Sequence, residues 1–148
     1  MSTIPLAEFA DRLSEIMPTV MQEFARRQTN ELFKGKITLP QFLVLNFLSQ
    51  QQESKMTVMA NFVGVTTAAM TGIIERLVKY GYCLRVFVPD DRRIIKVRLS
   101  SRGADLVRKV NQQRRQMIIK IFGRISEAER REYLKILLRI KEILTNTK

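Results

Sequence analysis

Histidine and tryptophan are missing from this 148-residue sequence altogether, and cysteine occurs once, as Cys83. Without histidine there is no Ser-His-Asp or Cys-His nucleophile, no imidazole metal ligand and no histidine-based pH switch. One cysteine forms neither an internal disulfide nor a thiolate zinc centre, and Cys83 reads as a small buried residue rather than a thiolate switch. No phosphate-binding glycine loop is present, since Gly35-Lys36 lacks the upstream glycine and the Ser or Thr of a P-loop. Asp90 and Asp91 are adjacent on one turn, a poor arrangement for an acid–base pair flanking a substrate. The expectation is therefore neither an enzyme nor a cofactor protein. Acidic residues are also scarce: 14 Asp and Glu face 26 Lys and Arg, a formal net charge of +12. Such a field serves a polyanion, most often nucleic acid.

What is there fits one domain of ordinary size, with 45% apolar residues to build a core. Met1 to Leu13 carries Glu8 and Asp11 and no basic stretch, unlike a signal peptide, so the expected location is the cytoplasm. The run from Met56 to Ile74 is charge-free, but its threonines, asparagine and glycines make it too polar for a membrane span. The charge is regional. Residues 1–37 are balanced, residues 38–100 carry +4 and residues 101–148 carry +8.

Leu6, Phe9, Leu13, Ile16, Met17, Val20, Met21 and Phe24 follow helical spacing, which predicts an amphipathic helix to about Leu32 that kinks or breaks at Pro18 and ends at Lys34-Gly35-Lys36. Thr38-Leu39-Pro40-Gln41 reads as a capping box opening a helix that is apolar nearly all round, hence central in the core. Ser49 to Lys55 reads as a loop. Thr57 is expected to cap a short helix to Val63, and Gly64-Val65 makes a turn. Thr66 caps a second helix to Tyr80, closed by Gly81, which completes a helix-turn-helix. Alternation in Leu84 to Val88 and Ile95 to Leu99 predicts a β-hairpin with Pro89-Asp90-Asp91-Arg92 at its tip. Ser100 or Ser101 starts a long basic helix, and Ser126-Glu127-Ala128-Glu129 is a second capping box before a last helix with a broad apolar face. The fold class is mainly α with a small β-hairpin wing. It divides into an N-terminal dimerisation helix (1–37), a winged helix-turn-helix (38–100) and C-terminal dimerisation helices (101–148).

A helix-turn-helix followed at once by a basic hairpin suits duplex DNA: the helix start fits the major groove, and the hairpin reaches phosphates or the adjacent minor groove. The helix offers Thr66, Thr67, Ala68, Thr71 and Gly72 without any cation, then Arg76 one turn on. Thr hydroxyls can bond base edges, and Thr or Ala methyls can pack on thymine methyls. Gly72 costs about 1 kcal/mol against alanine in a helix, explained by close approach to DNA or by tight helix packing. The wing supplies Arg85, Arg92, Arg93 and Lys96, with Arg98 behind them. Affinity is expected chiefly from these cations and modest readout from the helix.

On these residues the sequence resembles the MarR family of bacterial transcriptional regulators. The likeness is carried by Leu39-Pro40-Gln41-Phe42-Leu43-Val44-Leu45, Val65-Thr66, Ile74-Glu75-Arg76-Leu77-Val78-Lys79-Tyr80-Gly81, Pro89-Asp90-Asp91-Arg92-Arg93 and Val97-Arg98-Leu99-Ser100-Ser101-Arg102-Gly103. The resemblance implies a homodimer with interlocked terminal helices, two winged helices on a palindromic operator, and repression relieved by a small ligand or by oxidation. It also implies that Asp91 orients the wing and pairs with a nearby arginine, that Arg92 and Arg93 reach phosphate or the minor groove, and that Thr66, Thr67 and Thr71 lie at the major groove. Two departures stand out. Many members carry arginine where this chain has Gly72. The peroxide-sensing members use a cysteine in the first helix, whereas residues 1–37 have none.

Met17, Met21, Phe24, Phe42 and Phe47 are candidates for an apolar ligand cleft, with core packing as the plainer reading. Arg108, Lys109, Arg114, Arg115, Lys120 and Arg124 read as a solvated helix face. The apolar faces of the first and last helices are wider than one small domain hides, which independently suggests pairing between two chains. The leading function is a dimeric, sequence-specific regulator, a repressor at a palindromic operator. The alternative is a nonspecific nucleoid-associated or RNA-binding protein using the same positive field.

Overall fold

The computed structural model describes residues 3–28 and 37–147, apart from the side chain of Arg92. The elements are α1 (Leu6–Arg27), α2 (Leu39–Gln50), β1 (Ser54–Lys55), α3 (Met56–Val63), α4 (Thr67–Lys79), β2 (Cys83–Val88), β3 (Asp91–Leu99), α5 (Ser101–Phe122) and α6 (Glu127–Asn146). The chain is mainly helical with one three-stranded antiparallel sheet, in the order β1-β3-β2. Contacts divide it into two compact units, Met1–Gln113 and Arg114–Lys148. No single helix among the described residues is long and apolar enough to cross a membrane.

Within the first unit, α2 is the axis, as its all-round apolar sequence requires. Thr38 Oγ1 accepts from Gln41 N–H while Gln41 Oε1 accepts from Thr38 N–H, so the capping box closes both ways. Phe42, Val44, Leu45 and Leu48 then enter a core shared with Met59 and Ala60 of α3, Met70, Ile74 and Leu77 of α4, Cys83 and Val97 of the sheet, and Leu106, Val107 and Val110 of α5. Each fully buried Leu, Ile or Met contributes roughly 1.5–3 kcal/mol relative to exposure. Asn111 Nδ2 donates to Asn46 Oδ1 at 3.3 Å, a polar tie between α5 and α2.

Several local expectations are corrected. Of the kink or break expected at Pro18, the break does not occur: α1 runs on through it to Arg27. Apart from half-buried Glu23 and Phe24 the helix is exposed in one chain, so water can satisfy the Ser14 carbonyl that the proline leaves without a donor. The proposed end at Lys34-Gly35-Lys36, and the stretch to Leu32, lie outside the described residues. Ser49–Lys55 is not all loop, because α2 extends to Gln50 and Ser54 and Lys55 pair with Val97 and Lys96. Thr57 is not a cap. The helix starts at Met56, N-capped by Lys55 without a side-chain bond, because strand pairing already fixes the chain just before it. At the start of α5, Ser100 is the capping residue, its Oγ accepting from Gly103 N–H at 3.1 Å.

The second unit is the end of α5, a turn and α6. Ser126 Oγ accepts from Glu129 N–H, and Ser126 N–H donates back to the Glu129 carboxylate, the second capping box as read. That N–H and the Ser126 hydroxyl hold the Glu129 carboxyl below the usual carboxylate range. Phe122 and Tyr133 stack with ring centres 5.4 Å apart. No residue of α6 is buried within the chain.

Candidate nucleic-acid interface

α3 and α4 meet at 104°, within the range of about 90–120° expected for a helix-turn-helix. Gly64 makes the turn between them at φ 79°, a conformation that favours glycine. Thr66 then caps α4, its Oγ1 accepting from Ala69 N–H at 3.1 Å. Met70, Ile74 and Leu77 anchor the inner side of α4 in the core. At its far end Tyr82 N–H donates to Leu77 O and Gly81 N–H to Val78 O, the paired bonds of a Schellman stop around Gly81 at φ 80°.

With the inner face fixed, the outer face follows from helical spacing. Ala68, Gly72 and Arg76 form one exposed ridge, and Thr67, Thr71 and Glu75 the next. Thr71 Oγ1 donates to Thr67 O at 3.0 Å, so part of its hydroxyl's capacity is spent within the helix. Methyl groups and open backbone are what the first two turns present outward. A methyl group built on Gly72 would meet nothing within 4 Å, which removes tight packing within the chain as the reason for glycine there. Glu75 was not singled out by sequence reasoning, although its i+4 relation to Thr71 places it on the same surface. It puts an exposed acid at the end of the uncharged patch.

The wing is tighter than a four-residue tip. Val88 pairs with Asp91 across Pro89-Asp90, while Phe87 pairs with Ile95, so the register slips and Arg92-Arg93-Ile94 bulge from β3. Asp91 Oδ1 accepts the backbone N–H of Arg93 at 2.9 Å, shaping that bulge through the main chain. Arg85, Arg93 and Arg98 are exposed and form no ion pair among the described residues. Arg92 belongs to β3, but its side chain lies outside the description. Lys96 is differently placed: its Nζ lies 3.1 Å from Glu53 Oε1, so its charge is partly answered by an acid 43 residues away in sequence. Both wing strands are tied to the helices at one junction. Ser100 Oγ donates to Gly81 O, Ser100 N–H donates to Tyr82 O, and Arg102 lies over the Tyr82 ring at 5.0 Å. Gly103 sits so close to Tyr82 O that an added methyl group would come within 2.1 Å of it.

The five apolar cleft candidates differ in burial. Phe42 is core, Phe47 stacks on Phe62 with ring centres 4.6 Å apart, and Met17 and Met21 are exposed on α1, with Phe24 half-buried. An open cleft of about 580 Å³ lies elsewhere, lined by Leu48, Gln51, Leu99, Val107, Arg108 and Asn111 among others. Cys83 is 1% exposed, and burial pushes its thiol up to about 12. Among the described residues no cluster of Cys, Asp and Glu could hold a metal ion.

Residues 37–95 match the model of the MarR family. YpoP, an uncharacterized HTH-type transcriptional regulator of Bacillus subtilis (strain 168), is 26% identical over 104 residues, 70% of this chain and 74% of that protein. A MarR family protein from Bacillus stearothermophilus superimposes with a TM-score of 0.83 at 18% identity, over 97% of this chain and 100% of that one. Streptococcus pneumoniae FabT, solved in complex with DNA, gives 0.81 at 21% identity, over 94% and 99%. At these identities the two structures speak for the fold. Over residues 37–95 this chain is similar to the MarR family of transcriptional regulators, and its fold is that of the MarR family protein from Bacillus stearothermophilus.

Proposed function

We propose that the chain is a homodimeric repressor that binds a palindromic DNA operator and is released by a small-molecule effector. The observation that carries the DNA reading is the juxtaposition just described. Two exposed, uncharged turns of α4 stand in one small domain with a wing whose Arg85, Arg93 and Arg98 form no ion pair among the described residues. Thr66, Thr67, Ala68, Thr71 and Gly72 would face base edges, with Arg76 at the groove wall and Arg85, Arg92 and Arg93 on phosphate or in the adjacent minor groove. Lys96, already engaged by Glu53, contributes less.

The dimer reading is supported by α1 and α6. Leu6, Phe9, Leu13 and Ile16 on α1, and Leu134, Leu138, Ile143 and Leu144 on α6, are all exposed in one chain. Apolar faces of this breadth mark an association surface. Residues 1–37 and 101–148 are accordingly assigned to dimerisation and 38–100 to DNA binding. Two-fold symmetry would set half-sites about 34–36 Å apart. The effector reading leans on the family likeness, and the cleft beside Leu48 and Arg108 offers a place for one.

Selection of duplexes from a random library by the purified protein tests the proposal. The expected result is a palindrome that scrambled duplex and RNA compete for poorly at matched salt. Equal competition by scrambled DNA or RNA would overturn sequence specificity and favour a nonspecific nucleoid-associated or RNA-binding role.

A further inference from the structure

Phe87 is an anomaly of the wing. It is 61% exposed, although Cys83, on the same face of the same strand, is 1% exposed. That face of the sheet passes from core to open solvent between these two residues, so Phe87 covers nothing in the core beneath it. Its cross-strand partner is Ile95, and the register slip of the wing begins at the next position. Bulges of this kind re-aim side chains near functional sites. The charged neighbours of Phe87 settle what it can meet: Arg85 lies on the same strand face and Arg93 in the bulge, both exposed and without ion pairs among the described residues. Of the acids at the tip, Asp91 has one oxygen on the Arg93 backbone. An aromatic ring framed by free guanidinium groups is complementary to a polyanion with an apolar interior.

We propose that Phe87 is an apolar wedge that enters the DNA minor groove beside each half-site, partly unstacking a base step while the wing arginines hold the flanking phosphates. The proposal rests on the DNA-binding reading and adds to it a residue that deforms the duplex. Side chains of this type, inserted from the minor groove, kink DNA at steps that unstack easily. Such a contact creates sequence preference outside the bases faced by α4, because pyrimidine–purine steps deform at least cost.

The test uses the full chain and a duplex that it selects from a random library, with 2-aminopurine placed in turn at the steps flanking each half-site. Wild-type protein should raise the fluorescence at one flanking step. Phe87→Ser should abolish that rise and weaken binding by about ten-fold, the scale of one aromatic–base contact. Phe87→Leu, which keeps an apolar wedge, should retain most of both effects. Circular dichroism of the two variants checks that the exposed site tolerates them. Unchanged affinity and fluorescence in Phe87→Ser would overturn the wedge and leave DNA binding standing. A shift in oligomeric state with unchanged fluorescence would also overturn it, reassigning Phe87 to a protein contact. Selection of no duplex at all would overturn the DNA-binding reading and the wedge together.

Discussion

An alanine at position 72 would add a single methyl group to a helix surface where nothing lies within 4 Å of it. By helix propensity alone, Gly72→Ala should stabilise the protein by about 1 kcal/mol. The same methyl group would stand between the α4 backbone and a base pair, so operator affinity should fall even as the thermal midpoint rises. Opposite signs in the two measurements are expected; a variant that is more stable and binds equally well would remove close approach as the role of Gly72. Cys83 allows a second residue-scale prediction. Burial disfavours its thiolate, raising the folded-state pKa from 9.0 to about 12. Below pH 9 both folded and unfolded chains keep the proton, so Cys83 adds no pH dependence there. Above it the unfolded chain ionises first, and stability falls with pH until about 12. Cys83→Ala should lose this part of the alkaline slope. In the native protein at pH 8, a thiol-reactive dye should label Cys83 only after urea is added, and fast native labelling would contradict the burial.

At the scale of elements, the proposed DNA role of the wing rests on cations that form no ion pair among the described residues. Arg93→Ala should lower affinity for every duplex alike and reduce the slope of log K against log salt by about one. Glu53→Gln should act in the opposite direction, because it releases Lys96 from the acid at 3.1 Å. Titrations at several salt concentrations check both, and an unchanged slope in Arg93→Ala would take Arg93 off the phosphates. This pair also illustrates what could be read from the sequence. Thr38 with Gln41, Thr66 with Ala69 and Ser126 with Glu129 act within three residues, so the helix starts they control were legible. β1 and the Glu53–Lys96 contact were not, because both arise only when residues 53–55 meet residues 96–97 across the fold. A two-residue strand has no periodicity to detect. Phe87 was hidden for a related reason: alternation set Leu84, Val86 and Val88 on one face and left Phe87 with Arg85 on the other, and only the end of the core shows that this second face passes from buried Cys83 to open solvent.

For the whole molecule, the +12 charge now has an internal distribution with consequences. Residues 101–148 hold +8 of it, while the exposed start of α4 holds none, so on the proposed reading the general field attracts DNA and the local surfaces sort it. The exposed apolar faces of α1 and α6 should be covered in solution. Light scattering should therefore give twice the chain mass of 17.3 kDa at micromolar concentration. A monomer there would refute the assignment of those helices to dimerisation. One feature of the fold bears on how such proteins diversify. The base of the hairpin is fixed to the body at Gly81, Tyr82, Ser100 and Gly103 by backbone bonds and by contact too close for a methyl group, and along β3 by its pairing with β1. Insertions or deletions near Pro89-Asp90 can then lengthen or shorten the wing without disturbing the recognition helix. The wing is in effect an exchangeable cassette, and on the proposed reading descendants of such a chain could acquire new flanking-sequence preferences at its tip while keeping the surface of α4.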